Sequence, residues 1–329
     1  MLLLSLIIPL AGSMVSDAAE EPVKSESKAS GSGETADAKG GPTEPSTAKT
    51  GRSWALLICG HPGNEEHREV YAESVEKLYE ILPARYGFSS ERMLVQFGSE
   101  PVEEDGAAIR NARGKATREE IAADAHFLRK NVKPEDRVWV IVLGHSHYDG
   151  RRCYLNLPEP DMHQDDFANL FGGLRSREQA FFVTTPVSGY FVRSLSMKGR
   201  VVITATEADR EVNETLYHLG LTQVLAEPPK PDEFDIDGDG RATLFDLYIA
   251  VARNVAKRYT DEQLLSTEHA QLDDNGDRRS SELQLDYLTV EEGGRDNEGI
   301  RPKIRPEGDG ALATNVLLFP QPTAQPDEK

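Results

Sequence analysis

Between residues 235 and 246 the chain reads Asp-Ile-Asp-Gly-Asp-Gly-Arg-Ala-Thr-Leu-Phe-Asp. Calcium is a hard cation that takes about six to eight oxygens, and a loop of this length can supply them from alternate positions and from its last residue. Asp235, Asp237 and Asp239 fill the first three alternate positions, and Gly240 stands where such a loop turns sharply. Arg241 offers its carbonyl, Thr243 acts directly or through water, and Asp246 closes the loop. The plainer alternative is an Asp- and Gly-rich turn of the kind found in linkers. The ligand count and the apolar-faced segment after the loop favour Ca2+. A second cluster, Asp273, Asn275 and Asp277, repeats the first three ligand positions, with Arg278 in place of the glycine and Gln284 in place of the closing acid. It is either a second calcium loop or a polar turn.

A different chemistry is suggested by His145 and His147, which directly follow an apolar run, Val138 to Leu143. Such runs read as buried strands, and function gathers in the loops at their carboxyl ends. His145 fits a general base or a structural or ligand-binding histidine. His147 and Asp149 suit a metal, but spacing supplies no third ligand. Hydroxyls stand after another apolar run, at Thr184, Thr185 and Ser188.

These residues need a frame. Trp54 to Cys59 is a continuously apolar strand, Glu66 to Leu82 has helical apolar spacing, and Met93 to Phe97 is a short strand. Thr117 with Glu120 forms a capping box that opens a further helix. Phe181 to Val183 and Val201 to Thr204 add two more strands. Strands alternating with helices predict an α/β fold, a mostly parallel sheet with helices on both faces. Leu244 to Tyr259 reads as the helix leaving the acidic loop, whereas Pro228, Pro229 and Pro231 leave no room for an ordinary helix before it. Thr260 to Gln271 is expected to be a helix leading into the second cluster, so that the two half-sites pack together. Ala311 to Phe319 is apolar enough for one last strand.

Composition narrows the partners. Thirty-seven basic against 56 acidic residues give a net charge of −19, which disfavours nucleic acid. Two cysteines, Cys59 and Cys153, exclude a disulfide scaffold and a cysteine-rich zinc site. Leu2 to Leu10 is too short to span a bilayer and has the length of a signal-peptide core, although no basic residue precedes it. Export to the periplasm, cell surface or medium is the expectation, with an untidy hydrophobic terminus as the alternative. The organisation expected is a signal-like segment over 1–19, a disordered linker over 20–51 and an α/β domain over 52–227. A small helical calcium segment over 228–290 and a polar tail over 291–329 complete it. Expected partners are calcium and an exported protein or peptide.

The order of elements resembles the caspase–legumain class of cysteine peptidases, legumain more closely. The resemblance rests on the Trp54 to Cys59 strand, the Gly144-His145-Ser146 triplet after the 138–143 strand, and the Thr184-Thr185-Pro186-Val187-Ser188-Gly189 run. It implies a caspase-like sheet and a catalytic role for His145. It also implies a nucleophilic cysteine where this chain has Pro186, which has neither a nucleophile nor an N–H to donate. The usual thiol–imidazole dyad is therefore absent and a pseudoenzyme is expected. Ser188 acting with His145 is the alternative, an endopeptidase without a cysteine. The 235–246 loop resembles an EF-hand or the dockerin type of calcium loop, in which aspartate commonly closes the last position.

Overall fold

Strand β1, Ser53–Cys59, is buried at every position, and the reason lies in its two faces. Ala55, Leu57 and Cys59 enter one hydrophobic cluster, while Trp54, Leu56 and Ile58 enter another. A strand covered on both sides has no polar face to present, so its sequence is continuously apolar. The computed structural model describes residues 51–209, 211–296 and 302–319. The expected signal segment, and all of the linker except Gly51, lie outside them.

The central sheet has six strands. β1 pairs with β2, Met93–Phe97, and with β3, Arg137–Leu143; then come β7, Glu178–Val183, β8, Arg200–Thr204, and β9, Gln271–Asp273, in the order β2-β1-β3-β7-β8-β9. All neighbours are parallel except the last pair, in which β9 runs antiparallel along β8 with Ile203 opposite Leu272. Between β3 and β7 a small antiparallel sheet is formed by β4, Ser146–Tyr148, β5, Cys153–Leu155, and β6, Met162–His163.

Helices cover both faces. On one lie α1, Glu65–Arg85, α6, Tyr217–Ala226, and α8, Leu244–Asp261. On the other lie α3, Arg118–Asn131, α4, Gln164–Leu170, and α5, Gly189–Leu195. Two one-turn helices, α2, Ala107–Arg110, and α7, Pro231–Phe234, complete the set. Thr117 caps α3 as its sequence requires, its side chain accepting from Glu120 N. Pro231 stands in the first turn of α7, where its missing N–H removes no helical bond.

Three sequence expectations are corrected. First, Thr260–Gln271 is not a helix: α8 ends at Asp261, and 262–270 is irregular. Here the side chains of Glu268 and His269 bind Leu216 N and Glu211, tertiary bonds that override local helical propensity. Second, 311–319 forms a 3-10 turn at Ala313–Asn315 and a single bridge from Leu317 to Thr243, not a strand of the sheet. The Asp274 carboxylate accepts from Gly310 N and Ala313 N and so curls this segment. Third, the described residues form one compact unit, and α8 shares a hydrophobic cluster with α1 and the sheet. The described part of 228–290 is built into the α/β body. No helix among the described residues is long and apolar enough to cross a membrane.

Candidate functional site

His145 leaves β3 through Gly144, whose φ of +107° is open to glycine; a Cβ there would stand 3.0 Å from Gly60 N. The imidazole is held at both ends. Nδ1 is 2.6 Å from Glu214 Oε1, and Nε2 is 2.7 Å from the Pro62 carbonyl oxygen. A carbonyl can only accept, so Nε2 carries the hydrogen. Glu214 Oε2 in turn accepts from the Tyr71 hydroxyl at 2.9 Å. Two further imidazoles complete the cluster: His67 from α1, with its ring centre 5.0 Å from that of His145, and His218 from α6, 5.0 Å from the Tyr71 ring.

The electrostatics follow from these contacts. The Glu214 hydrogen bond raises the His145 pKa against the opposing effect of burial. Burial by itself would raise Glu214, but the His145 bond and charge, the Tyr71 bond and His67 together hold the carboxyl below its ordinary value. His218 is 4% exposed, and burial pushes its pKa down to about 4, so it stays neutral.

The loop expected to carry a nucleophile holds none that is free. Ser188 is fully buried; its N–H donates to Thr206 Oγ1 at 2.8 Å and its Oγ accepts from Thr206 N at 3.2 Å. No hydrogen bond joins Ser188 to His145 among the described residues, and the Ser188 hydroxyl ties two loops together. Thr184 donates to Val142 O, and Thr185 accepts from Ser146 Oγ. Val187, a β-branched residue, is held at φ +46° with its N–H on Glu211 O. That conformation is strained for such a residue, and it sets a sharp turn between β7 and α5. Gly189 is needed for packing, since a Cβ there would stand 2.5 Å from Ala208 N. Cys59 and Cys153 are both buried and unpaired. Burial raises both thiols, Cys153 to about 12, which leaves neither as a thiolate near neutrality.

His147 and Asp149 do not form a metal site. His147 Nδ1 is 2.6 Å from Asn156 Oδ1, and Asp149 accepts from Arg151 N and Arg152 N to set the β4–β5 turn.

In the acidic loop, Asp235, Asp237 and Asp239 are brought together, each offering a carboxylate oxygen within 4.8 Å of the others. Gly238 and Gly240 turn the loop at φ of +77° and +81°. Asp235 accepts from the N–H groups of Gly238, Asp239 and Gly240, which points the loop inward. Burial, then Asp239, raise the pKa of Asp237. Arg241 pairs its guanidinium with Asp239 on the surface. Asp246 departs from the expected role: it is fully buried outside the carboxylate trio, accepting from Ile236 N and Thr243 N and closing the capping box of α8.

The second cluster repeats much of this turn geometry: Gly276 and Arg278 turn it at φ of +80° and +70°, as Gly238 and Gly240 turn the first. Asp273 belongs to β9, and its Oδ1 accepts from Ser196 Oγ and Gly276 N. Asn275 and Asp277 each accept one backbone N–H within the turn, from Asp277 and Arg279. These bonds match those within the first loop, whereas the expected packing of one half-site on the other is replaced: the first loop is bridged by 316–318 instead.

Sequence reasoning missed Glu214, Tyr71, His67 and His218. Glu214 lies in an Asn213-Glu214-Thr215 triplet that signals nothing about catalysis, and the others are spread over two helices. Only the histidine content of α1 and α6 offered a signal.

No protein-family model matches the sequence, and no curated protein matches it. Among solved structures the chain is similar to caspase-1 from Spodoptera frugiperda, with a TM-score of 0.43 and 11% identity over 69% of this chain and 90% of that one. What stands is a mixed α/β fold around a central, mostly parallel sheet.

Proposed function

We propose that the chain is an exported calcium-binding protein whose α/β body, of the caspase–legumain type read in its sequence, binds a partner and does not hydrolyse peptides. The convergence of Asp235, Asp237 and Asp239 carries the calcium reading. Three carboxylates at mutual contact distance repel one another, and a hard divalent cation removes that repulsion while accepting their oxygens. The residues fit the ion. Asp235, Asp237 and Asp239 would hold it, with the Arg241 carbonyl as a further oxygen and Asp246 positioning the loop on α8.

Absence of turnover rests on two observations: Pro186 where the nucleophile belongs, and the engagement of every hydroxyl in its loop. A binding role is supported by a cleft of about 790 Å3 walled by Arg151, Arg193, Arg278 and Arg279, with Tyr148 stacked on Tyr190 at its edge. None of these four guanidinium groups makes an ion pair among the described residues, so an acidic segment of a partner suits the cleft. Export is inferred from the Leu2 to Leu10 run and agrees with weak calcium sites working at the millimolar level outside cells.

The deciding experiment is calorimetric titration of calcium into the chelator-treated full chain, beside Asp237→Ala. Saturable heat that disappears in the variant supports the proposal. Equal heats in both, or none at millimolar calcium, would overturn it.

A further inference from the structure

The His145 cluster brings two imidazoles and a carboxylate together, an arrangement that a proton or a metal ion can hold. Nε2 of His145 must donate to the Pro62 carbonyl, so a neutral imidazole presents a lone pair at Nδ1. That lone pair faces a carboxylate oxygen of Glu214 at 2.6 Å. Two acceptors at this distance need either a second proton on the ring or a shared cation. A metal-ligating histidine characteristically donates its other ring N–H to a carbonyl or carboxylate, which fixes the tautomer and the ring plane. Pro62 does this for His145.

A third donor stands ready. His67 projects from the first turn of α1, half-buried, and its ring nitrogens make no hydrogen bond among the described residues. One atom from each of His67, His145 and Glu214 lies within 4.8 Å of the other two. From the geometry we infer that His67, His145 and Glu214 form a site for a transition-metal dication of the zinc type, separate in place and chemistry from the acidic calcium loop.

The donor set decides the class of ion. Two imidazoles and one carboxylate suit zinc, whereas calcium prefers oxygens alone. With ligand bonds of about 2.0–2.2 Å, a tetrahedral ion separates two of its ligands by about 3.4 Å. The Nδ1 to Oε1 contact would therefore open by less than about 1 Å on loading, a movement of the half-exposed Glu214 side chain. Tyr71 already holds the other Glu214 oxygen and so orients the carboxylate. Behind Tyr71, the buried His218 has both ring nitrogens unbonded among the described residues, keeping that flank neutral and rich in lone pairs. Three protein ligands leave a fourth position open to water or to a ligand group, the pattern of zinc sites that are not purely structural.

The test is titration of zinc alone into the metal-stripped full chain, followed by calorimetry, for the wild type, His67→Gln, Glu214→Gln and Asp237→Ala. One zinc per chain is expected. His67→Gln and Glu214→Gln should weaken it by at least about tenfold to a hundredfold, the loss seen even when groups behind the ligands are removed. Asp237→Ala should leave zinc affinity unchanged, and His67→Gln should leave the calcium heat and the metal-free melting temperature unchanged. Because His67 makes no side-chain bond, its variant separates loss of a ligand from loss of the fold. No saturable zinc binding, or binding that survives His67→Gln, would overturn the inference. Zinc binding abolished by Asp237→Ala would do so too, by placing the ion in the acidic loop.

Discussion

The 235–246 loop and the 273–277 turn begin with nearly the same ligand pattern and the same backbone turn, and differ in how deeply their first aspartate is buried. In the first, three carboxylates stay at the surface and converge. In the second, Asp273 is drawn into the sheet edge and is fully buried, while its neighbour Asp274 accepts two N–H groups from the 310–313 segment. The flanking elements make the difference. A capped, amphipathic α8 holds the first loop at its far end, whereas β9 pulls the second into pairing with β8. The same turn can stand at the surface or at a sheet edge, and its flanking elements decide how much of its first carboxylate water reaches.

The contrast between the two regions is tested hardest at Asp274. Asp274→Ala leaves two buried N–H groups without their acceptor and should lower stability by about 2–4 kcal/mol, read by urea unfolding. The calcium heat per folded molecule should not change. A stable variant with lost calcium binding would reverse the roles given to the two regions.

Asp246 should show both characters at once. Asp246→Ala removes the reciprocal cap of α8 and should cost about 1–2 kcal/mol without calcium. It should also weaken calcium binding by loosening the loop end. A change in only one of the two properties would separate cap from loop.

Acidity offers a third handle. Burial raises both Asp273 and Asp274 to about 6, with Asp309 adding to the rise and Asp277 contributing at Asp273. A carboxyl that binds its proton more tightly when folded stabilises fully below the ordinary value of 3.8, and that contribution is lost as pH rises through about 6. Metal-free stability should therefore fall between about pH 4 and pH 7. Asp273 Oδ2 has no partner among the described residues, so Asp273→Asn can place its amide there and should flatten this slope. An unchanged slope in melting curves would remove Asp273 from the account.

The smallest effects belong to Asp237, which is half-buried, and Asp277, which is exposed. Asp237→Ala and Asp277→Ala should each alter metal-free stability by less than about 0.5 kcal/mol. Only the first should abolish calcium heat.

The frame was legible because burial on two faces leaves a strong mark. β1, β3, β7 and β8 are all apolar runs, and the capping box at Thr117 announced α3. His145 was legible as a residue at a strand end. Its partner was not, because Glu214 reaches it across the fold from a loop after β8, and no spacing rule links residues brought together by sheet order. The irregular 262–270 stretch was misread for a related reason. Glu268 and His269 have ordinary helical neighbours but are held by Leu216 and Glu211, which the local sequence cannot reveal.

The last described segment has a consequence for how the molecule is made. Arg137, at the start of β3, donates to Leu318 O, and Leu318 itself is fully buried. Synthesis runs from the amino end, so β1, β2, β3, β7 and β8 leave the ribosome well before β9 and residues 316–318. During that interval the outer edge of β8 carries unpaired backbone donors and acceptors, and the floor beneath α8 stands open. A nascent chain in that state can be joined edge to edge by another chain until β9 covers β8, and the floor beneath α8 is closed later, by residues 316–318.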